Sequence, residues 1–536
     1  MPYLIPLQLR KTKAGRVIYV GVLAALCVCA VAPQAICQDI PSPTPDDSLV
    51  VEIINSVVRV FQDTTPPVWP GYDLSTQTTL FYVPARWAVL LNQKTPVPGY
   101  TTYPGNWPDL HAQALFRWGA IEELTGQLYF DYPLDTMKTV AVPIYTKVPD
   151  EYGPVRLAMF AFAVHEAFHQ FQRTVFQDME SFSEEKYPIL DVENNALIAL
   201  EMLLLRDVVH HMRLDDASEV RHLASMFVAV REYRWRRTIP IVRELERAKE
   251  LQEGSAKYVE TRYVGIMADL CRSGSPPPGG TCEYFSPLTM TTYLEEDFDN
   301  RMKNNALSPE DIPRYRIYPM GASMCLLLDY LGVPWKGLVE KGEPRFTLAG
   351  LLRESLALSD SSTSGLLDEA KGRYGFDAIT AESRSLIEDY LRGFEAGLSA
   401  FEAQPGVRVE VAVPTNGLSR SRSSRGTRWT MDGGDRVLGE HYIVYTLRRG
   451  NPDFFLNVEN TGVLEERVGE SRKRVSFRVP ALTEAKVDGS AVSLGTPGRY
   501  PFRDLILTGD GLRITSKAEG TLTIGADTAT ISIESP

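Results

Sequence analysis

Between Pro154 and Phe176 the chain is apolar at helical spacing, and this stretch carries the run His165-Glu166-Ala167-Phe168-His169. Met159-Phe160-Ala161-Phe162-Ala163-Val164, just before it, marks the helix as buried. Two imidazoles and a carboxylate placed there need partners inside the fold. Histidines four residues apart leave one helix face about a turn apart. Two ring nitrogens so placed can reach one tetrahedral ion at about 2.0–2.1 Å. Glu166 can then reach a water on the open side of that ion, the position of a general base in metal-assisted hydrolysis. The expectation is a zinc site holding about one ion per chain, with His165 and His169 as ligands and Glu166 as the base.

Such a site needs a third protein ligand and keeps its fourth position for water. Glu193, Glu201 and Glu253 are the candidates. The first two lie 24 and 32 residues after His169, a conventional spacing, and Glu253 lies 84 after it. Glu253 is followed by Gly254 and Ala256, small residues that let a second helix come close enough for an ion to bridge the two.

The run Glu253-Gly254-Ser255-Ala256-Lys257-Tyr258-Val259-Glu260 resembles the second zinc motif of aminopeptidase-N-like gluzincins, Glu-Gly-Phe-Ala-x-Tyr. Further on, Tyr318-Pro319-Met320-Gly321-Ala322-Ser323 is similar to their Tyr-x-Lys-Gly-Ala segment. The motifs follow the family's order and cover the stretch from His165 to Ser323. The resemblance implies a divergent zinc metallopeptidase in which Glu253 is the third ligand and the Tyr318 hydroxyl stabilises the oxyanion. Arg314, Tyr315 and Arg316 are neighbouring alternatives for the Tyr318 role. Gln252 and Met320 stand where the family carries Asn and Lys, and no Gly-x-Met-Glu-Asn run precedes the histidines.

The rest of the chain sorts into segments by period. Residues 1–38 read as a secretory signal peptide: Arg10, Lys11, Lys13 and Arg16 precede an apolar run from Val17 to Ala32. An uncleaved anchor or a lipoprotein is the alternative. Residues 39–48 read as a polar linker. Residues 49–153 are strand-rich, with strands expected over 78–83, 87–91, 127–132 and 139–144. Residues 154–404 read as the helical metallopeptidase domain, with helices over 154–176, 194–214, 217–270 (broken near Pro240), 314–331 and 378–401. After Gly406 alternating segments such as Val407–Val413 recur between turns, so residues 405–536 read as a small sandwich-like β-domain. The fold class is α+β.

Charge and cysteines bound the function. The net charge of −12 speaks against nucleic acid as a partner. No second apolar run reaches membrane-spanning length, so no stable span is expected once the signal is removed. Cys271 and Cys282 flank a Gly/Pro-rich loop and can form a disulfide in an oxidising compartment. Cys325 reads as a buried hydrophobe. Arg231, Arg234, Arg236 and Arg237 read as a solvated, salt-bridged helix face, His210 and His211 as exposed residues of a helix end, and Ser419–Arg425 as an exposed loop. The function these features describe is an exported, periplasmic or extracellular zinc peptidase acting on a peptide or protein substrate. The competing reading is an inactive metallopeptidase-like protein that binds carbohydrate or protein through its β-domain. Oligomeric state, and internal versus terminal cleavage, stay open.

Overall fold

The structure is a computed structural model that describes residues 40–124, 126, 128–135, 137–177, 183–275, 282–303, 307–343, 346–450 and 453–534. The segment read as a signal peptide lies outside the described residues. The fold is α+β: a strand-rich N-terminal part, a helical middle and a β-rich C-terminal part. The chain divides into two compact units. One takes the described residues up to Val175 together with 259–293, the other 176–258 together with those from Leu294 onward.

In the first unit the expected linker gives way at Pro45 to a helix, α1 (Pro45–Gln62). The Thr44 hydroxyl accepts from the Asp47 amide and the Asp47 carboxylate accepts from the Thr44 amide, a reciprocal cap with Pro45 in the first turn. The capping residues sit inside what composition alone marks as a linker. Six strands come next: β1 (Thr79–Val83), β2 (Trp87–Leu91), β3 (Thr101–Thr102), β4 (Ala114–Trp118), β5 (Tyr129–Leu134) and β6 (Met137–Pro143). They form one sheet in the order β3-β4-β2-β1-β6-β5, with β1 and β6 parallel and the other pairs antiparallel.

Helix α2 (Val155–Val175) carries the histidines. It is tied to α1 by Arg156 and Glu52 at 2.8 Å. Its apolar side is covered by Trp69 and Tyr72, whose rings lie 5.1 and 5.0 Å from that of Phe168. The Tyr72 hydroxyl donates to the Val164 carbonyl at 3.2 Å, which fixes the turn just before His165. Cys271 and Cys282 form the disulfide.

In the second unit α3 (Val192–Arg213) and α4 (Ala217–Arg237) pack together, and α5 (Pro240–Lys249) begins after a break. Thr238 is extended, and Pro240 stands in the first turn of α5, so the helical stretch expected over 217–270 is broken at Pro240, as its sequence indicates. From Pro240 the helical run continues to Arg272 through a π-helical turn, Glu250–Gly254, into α6 (Ser255–Arg272). The division between the units falls inside α6, after Tyr258. Then come α7 (Met290–Lys303), α8 (Ile317–Tyr330), α9 (Lys336–Val339), α10 (Leu348–Ser355), α11 (Asp360–Arg373) and α12 (Phe376–Glu402). Cys325 is buried in α8, as expected.

The C-terminal strands begin with β7 (Val407–Pro414), β8 (Leu418–Met431), β9 (Arg436–Arg449), β10 (Phe454–Val468) and β11 (Arg472–Val479), with shorter strands continuing to Ile533. The long β10 pairs with β9 along one edge; along the other it pairs first with Leu512–Ser516 and then with β11. The sheet therefore curls around a core that includes Val411, Leu456, Phe477, Ile514 and Ile531. The stretch expected as a loop over 419–425 is strand, because Arg420 and Arg422 are bound by Glu185 at 2.7 and 2.8 Å. α12 lies on this sheet where Gly397 leaves room: a Cβ there would come within 2.6 Å of the Trp429 ring.

Candidate metal centre

His165 and His169 are both buried on α2, and their Nε2 atoms stand 3.1 Å apart. Each ring is held from behind. His165 Nδ1 is 3.0 Å from a Glu260 carboxylate oxygen, and His169 Nδ1 is 2.6 Å from the Gln172 side-chain oxygen. With an acceptor behind each Nδ1, both rings turn their Nε2 atoms towards each other. Nitrogens 3.1 Å apart are close enough to share one proton or one metal ion.

Glu260 is itself braced, by a 2.6 Å hydrogen bond from the Tyr293 hydroxyl. Neither Glu260 nor Gln172 was singled out from sequence as a partner of the histidines. The signal was present: Gln172 is one turn after His169, and Glu260 is two turns after Glu253 on one helix face. Carboxylate and amide partners behind ligand histidines set the tautomer and raise ligand basicity.

His165, His169 and Glu253 each offer a ligand atom, and these atoms lie within 4.8 Å of one another. All three residues are buried. The other two candidates are elsewhere engaged. Glu193 is exposed, 3.2 Å from the Tyr233 hydroxyl and 3.4 Å from Arg237. Glu201 is fully buried and receives Arg231 and Arg234, each at 2.8 Å. Glu166 is half-buried, one residue along α2 from His165.

Glu253 is placed by backbone geometry. It sits in the π-helical turn next to Gly254, and a Cβ on Gly254 would lie 2.4 Å from Cα of Gly321 in α8. Only a pair of glycines lets these two helices touch along their backbones. The close approach read from Gly254 and Ala256 is thus present, with Gly321 as the partner. Tyr318 lies three residues before Gly321 on α8. Tyr318 is half-buried, with the Arg301 guanidinium 5.0 Å from its ring centroid.

Around Glu201 lies a buried ionic network. Arg231, Arg234 and Arg316 face Glu201, Glu246 and Glu250, with Tyr187 and Asn194 adding hydrogen bonds. This corrects two expectations. Arg231 and Arg234 are fully buried rather than on a solvated face, and Arg316 is bound to Glu246, which removes it as an alternative to Tyr318. Burial pushes the Glu250 carboxyl up to about 7, with Glu246 and Glu201 adding to the rise against the pull of Arg231. Glu246 is held well below the ordinary carboxylate range: burial opposes its charge, but Arg234, Arg316 and Arg231 outweigh it. His210 and His211 lie in the last turn of α3, partly exposed.

Comparison with protein-family models, with curated proteins and with solved structures returns no match to this chain.

Proposed function

We propose that the chain is an exported zinc-dependent hydrolase, a peptidase of divergent gluzincin type that cleaves peptide bonds in a peptide or protein substrate. The observation that carries this reading is the convergence of His165, His169 and Glu253, with Glu260 and Gln172 behind the two rings. Two imidazoles and one carboxylate, all buried, fit zinc in donor type and number, with one position left over. When bound there, zinc polarises the scissile carbonyl and acidifies a water.

The chain's own residues do the rest. Glu166 takes the proton from the attacking water and passes it to the leaving amine. Tyr318 donates to the oxygen on which negative charge develops, a role worth about 2.7–4 kcal/mol where such donors have been removed. Glu260 and Gln172 hold the imidazoles with Nδ1 turned to them and Nε2 turned to the position the ion would take. Export is supported by the signal-like N-terminus and by the Cys271–Cys282 disulfide. No described helix is long and apolar enough to cross a membrane.

The test is zinc content together with a peptide-library digest. Wild-type protein prepared in zinc should hold about one ion per chain. Glu166→Gln should keep the ion and lose most turnover, because the proton acceptor is gone while the ligand set is intact. A wild-type protein that stays metal-free in zinc-replete buffer sinks the reading.

A further inference from the structure

Arg301 lies over the Tyr318 ring, Arg314 and Arg316 lie just before it in the chain, and two of the three are committed. Arg316 is bound by Glu246 and by the Tyr187 hydroxyl at 3.0 Å. Arg301 binds Asp297 at 2.9 Å, donates to the Tyr315 carbonyl at 2.9 Å and covers the Tyr318 ring. Arg314 is different. Its backbone is held by a turn, with the amides of Arg314 and Tyr315 donating to the Asp311 carbonyl at 3.0 and 2.9 Å. Its guanidinium is half-buried and packs 5.9 Å from the Tyr315 ring centroid. Among the described residues no carboxylate pairs with it within 4.0 Å. Glu184, Tyr318, Tyr315 and Glu253 are the groups whose fields it feels. Burial works against its charge, yet these neighbours keep it more firmly protonated than a free arginine. Glu184, the nearest acid in influence after burial, is 3.4 Å from Lys249.

Position adds to this. Arg314 lies in the turn that leads into α8, which carries Tyr318 and Gly321, and Gly321 touches Gly254 next to Glu253. A permanently charged, half-buried fork therefore stands just ahead of Tyr318, within electrostatic reach of Glu253. A half-buried guanidinium without an ion pair keeps its donors available to a ligand, and a planar carboxylate matches its two parallel N–H donors. We infer that Arg314 binds a carboxylate of the substrate, so that the site selects peptides carrying an acid near the bond to be cut. The acid is either the substrate peptide's C-terminal carboxylate or the side chain of one of its Asp or Glu residues. This inference rests on the proposed peptidase site but is readable without turnover.

The experiment uses three fluorescently tagged alanine peptides of equal length: one with a free C-terminus, one amidated, and one amidated with a central Glu. Binding is measured by anisotropy to the zinc-loaded full-length Glu166→Gln protein, with and without Arg314→Gln or Arg314→Lys, and repeated on metal-free protein. Helical signal and zinc content are recorded for each variant. The expected result is binding of at least one acidic peptide about tenfold or more tighter than the neutral one. Arg314→Gln should reduce that preference to within about twofold, and Arg314→Lys should keep part of it because charge remains without the fork. Preference for the free C-terminus assigns a terminal carboxylate; preference for the central Glu assigns a side chain. Equal weakening of acidic and neutral peptides, an unchanged preference in Arg314→Gln, or no preference in the starting protein overturns the inference. A protein that binds acidic peptides through Arg314 but takes up no zinc keeps the inference and removes the peptidase reading.

Discussion

Gly254 and Gly321 meet backbone to backbone: a Cβ on either would lie 2.4–2.5 Å from the Cα of the other. Gly254→Ala should therefore force the π-helical turn and α8 apart. A loss of about 1–3 kcal/mol is the usual cost of overpacking, and Glu253, one residue away, should move with the turn. Urea unfolding and a competitive zinc titration check this together. Gly365→Ala is the control: in α11 nothing lies within 4 Å of the new methyl group, so stability should stay level or rise by about 0.4–1 kcal/mol. Should Gly254→Ala bind zinc as tightly as wild type, the close approach does not position Glu253.

The three carboxylates weighed from sequence separate cleanly by variant. Glu253→Gln should release zinc, because a ligand charge is removed from the ion. Glu193→Gln, at an exposed ion pair with Arg237, should leave both zinc and stability within about 0.5 kcal/mol of wild type. Glu201→Gln strips charge from two fully buried arginines and should cost about 3–5 kcal/mol while zinc stays bound. Metal analysis and denaturant titration of the three proteins decide it. Zinc lost from Glu193→Gln but kept by Glu253→Gln would reverse the ligand assignment.

Glu260 acts on the ion through His165. Glu260→Gln should weaken zinc binding by about 10–100-fold without abolishing it. Tyr293→Phe removes the hydroxyl that steadies Glu260 and should have a smaller effect in the same direction. Dissociation constants from a chelator competition series give the order. An effect of Tyr293→Phe larger than that of Glu260→Gln contradicts the relay from Tyr293 through Glu260 to His165.

Glu185 supplies a pH dependence. Burial alone would raise its carboxyl, but Arg420 and Arg422, with Arg428 further off, bring it down to about 2. A carboxyl lowered in the folded state contributes stability above its unfolded value of about 4.5 and loses it as pH falls towards 2. Wild type should thus exceed Glu185→Gln by a constant margin above about pH 5, on the order of 3 kcal/mol at most. The margin should shrink between about pH 4.5 and pH 2. Unfolding midpoints of both proteins across that range test it, and a margin that does not change with pH shows that the arginines do not hold the charge.

The parts of this molecule that depend on short-range pattern were legible in the sequence. Helix α2 shows helical apolar spacing, β7 alternates, and β1, β2 and β6 are short apolar runs buried along most of their length. Histidines at four-residue spacing fix their own relative geometry, so His165 and His169 could be paired before any fold was known. Glu253 lies 84 residues from His169, and its proximity depends on a helix crossing that only the two glycines hint at. Arg231 and Arg234 misled for the opposite reason. Charge on a helix reads as solvent-facing unless the matching acids are known to be near, and Glu201, Glu246 and Glu250 come from other elements. β8 misled likewise, its arginines being satisfied by Glu185 from far upstream.

The π-helical turn has a consequence for how the chain counts its residues. Glu246, Glu250, Glu253 and Glu260 are spaced so that an unbroken α-helix would line all four along one stripe. The wider turn at Glu250–Gly254 takes up extra chain, and each added residue rotates the rest of the helix by about 100°. One stripe becomes two: Glu246 and Glu250 turn to the buried arginines, while Glu253 and Glu260 turn to the histidines. Were the same residues wound there as an ordinary α-helix, the stripe would realign and aim four acids at one place. The centre is encoded by a phase shift as much as by its ligands, and a search for the motif letters alone cannot see it.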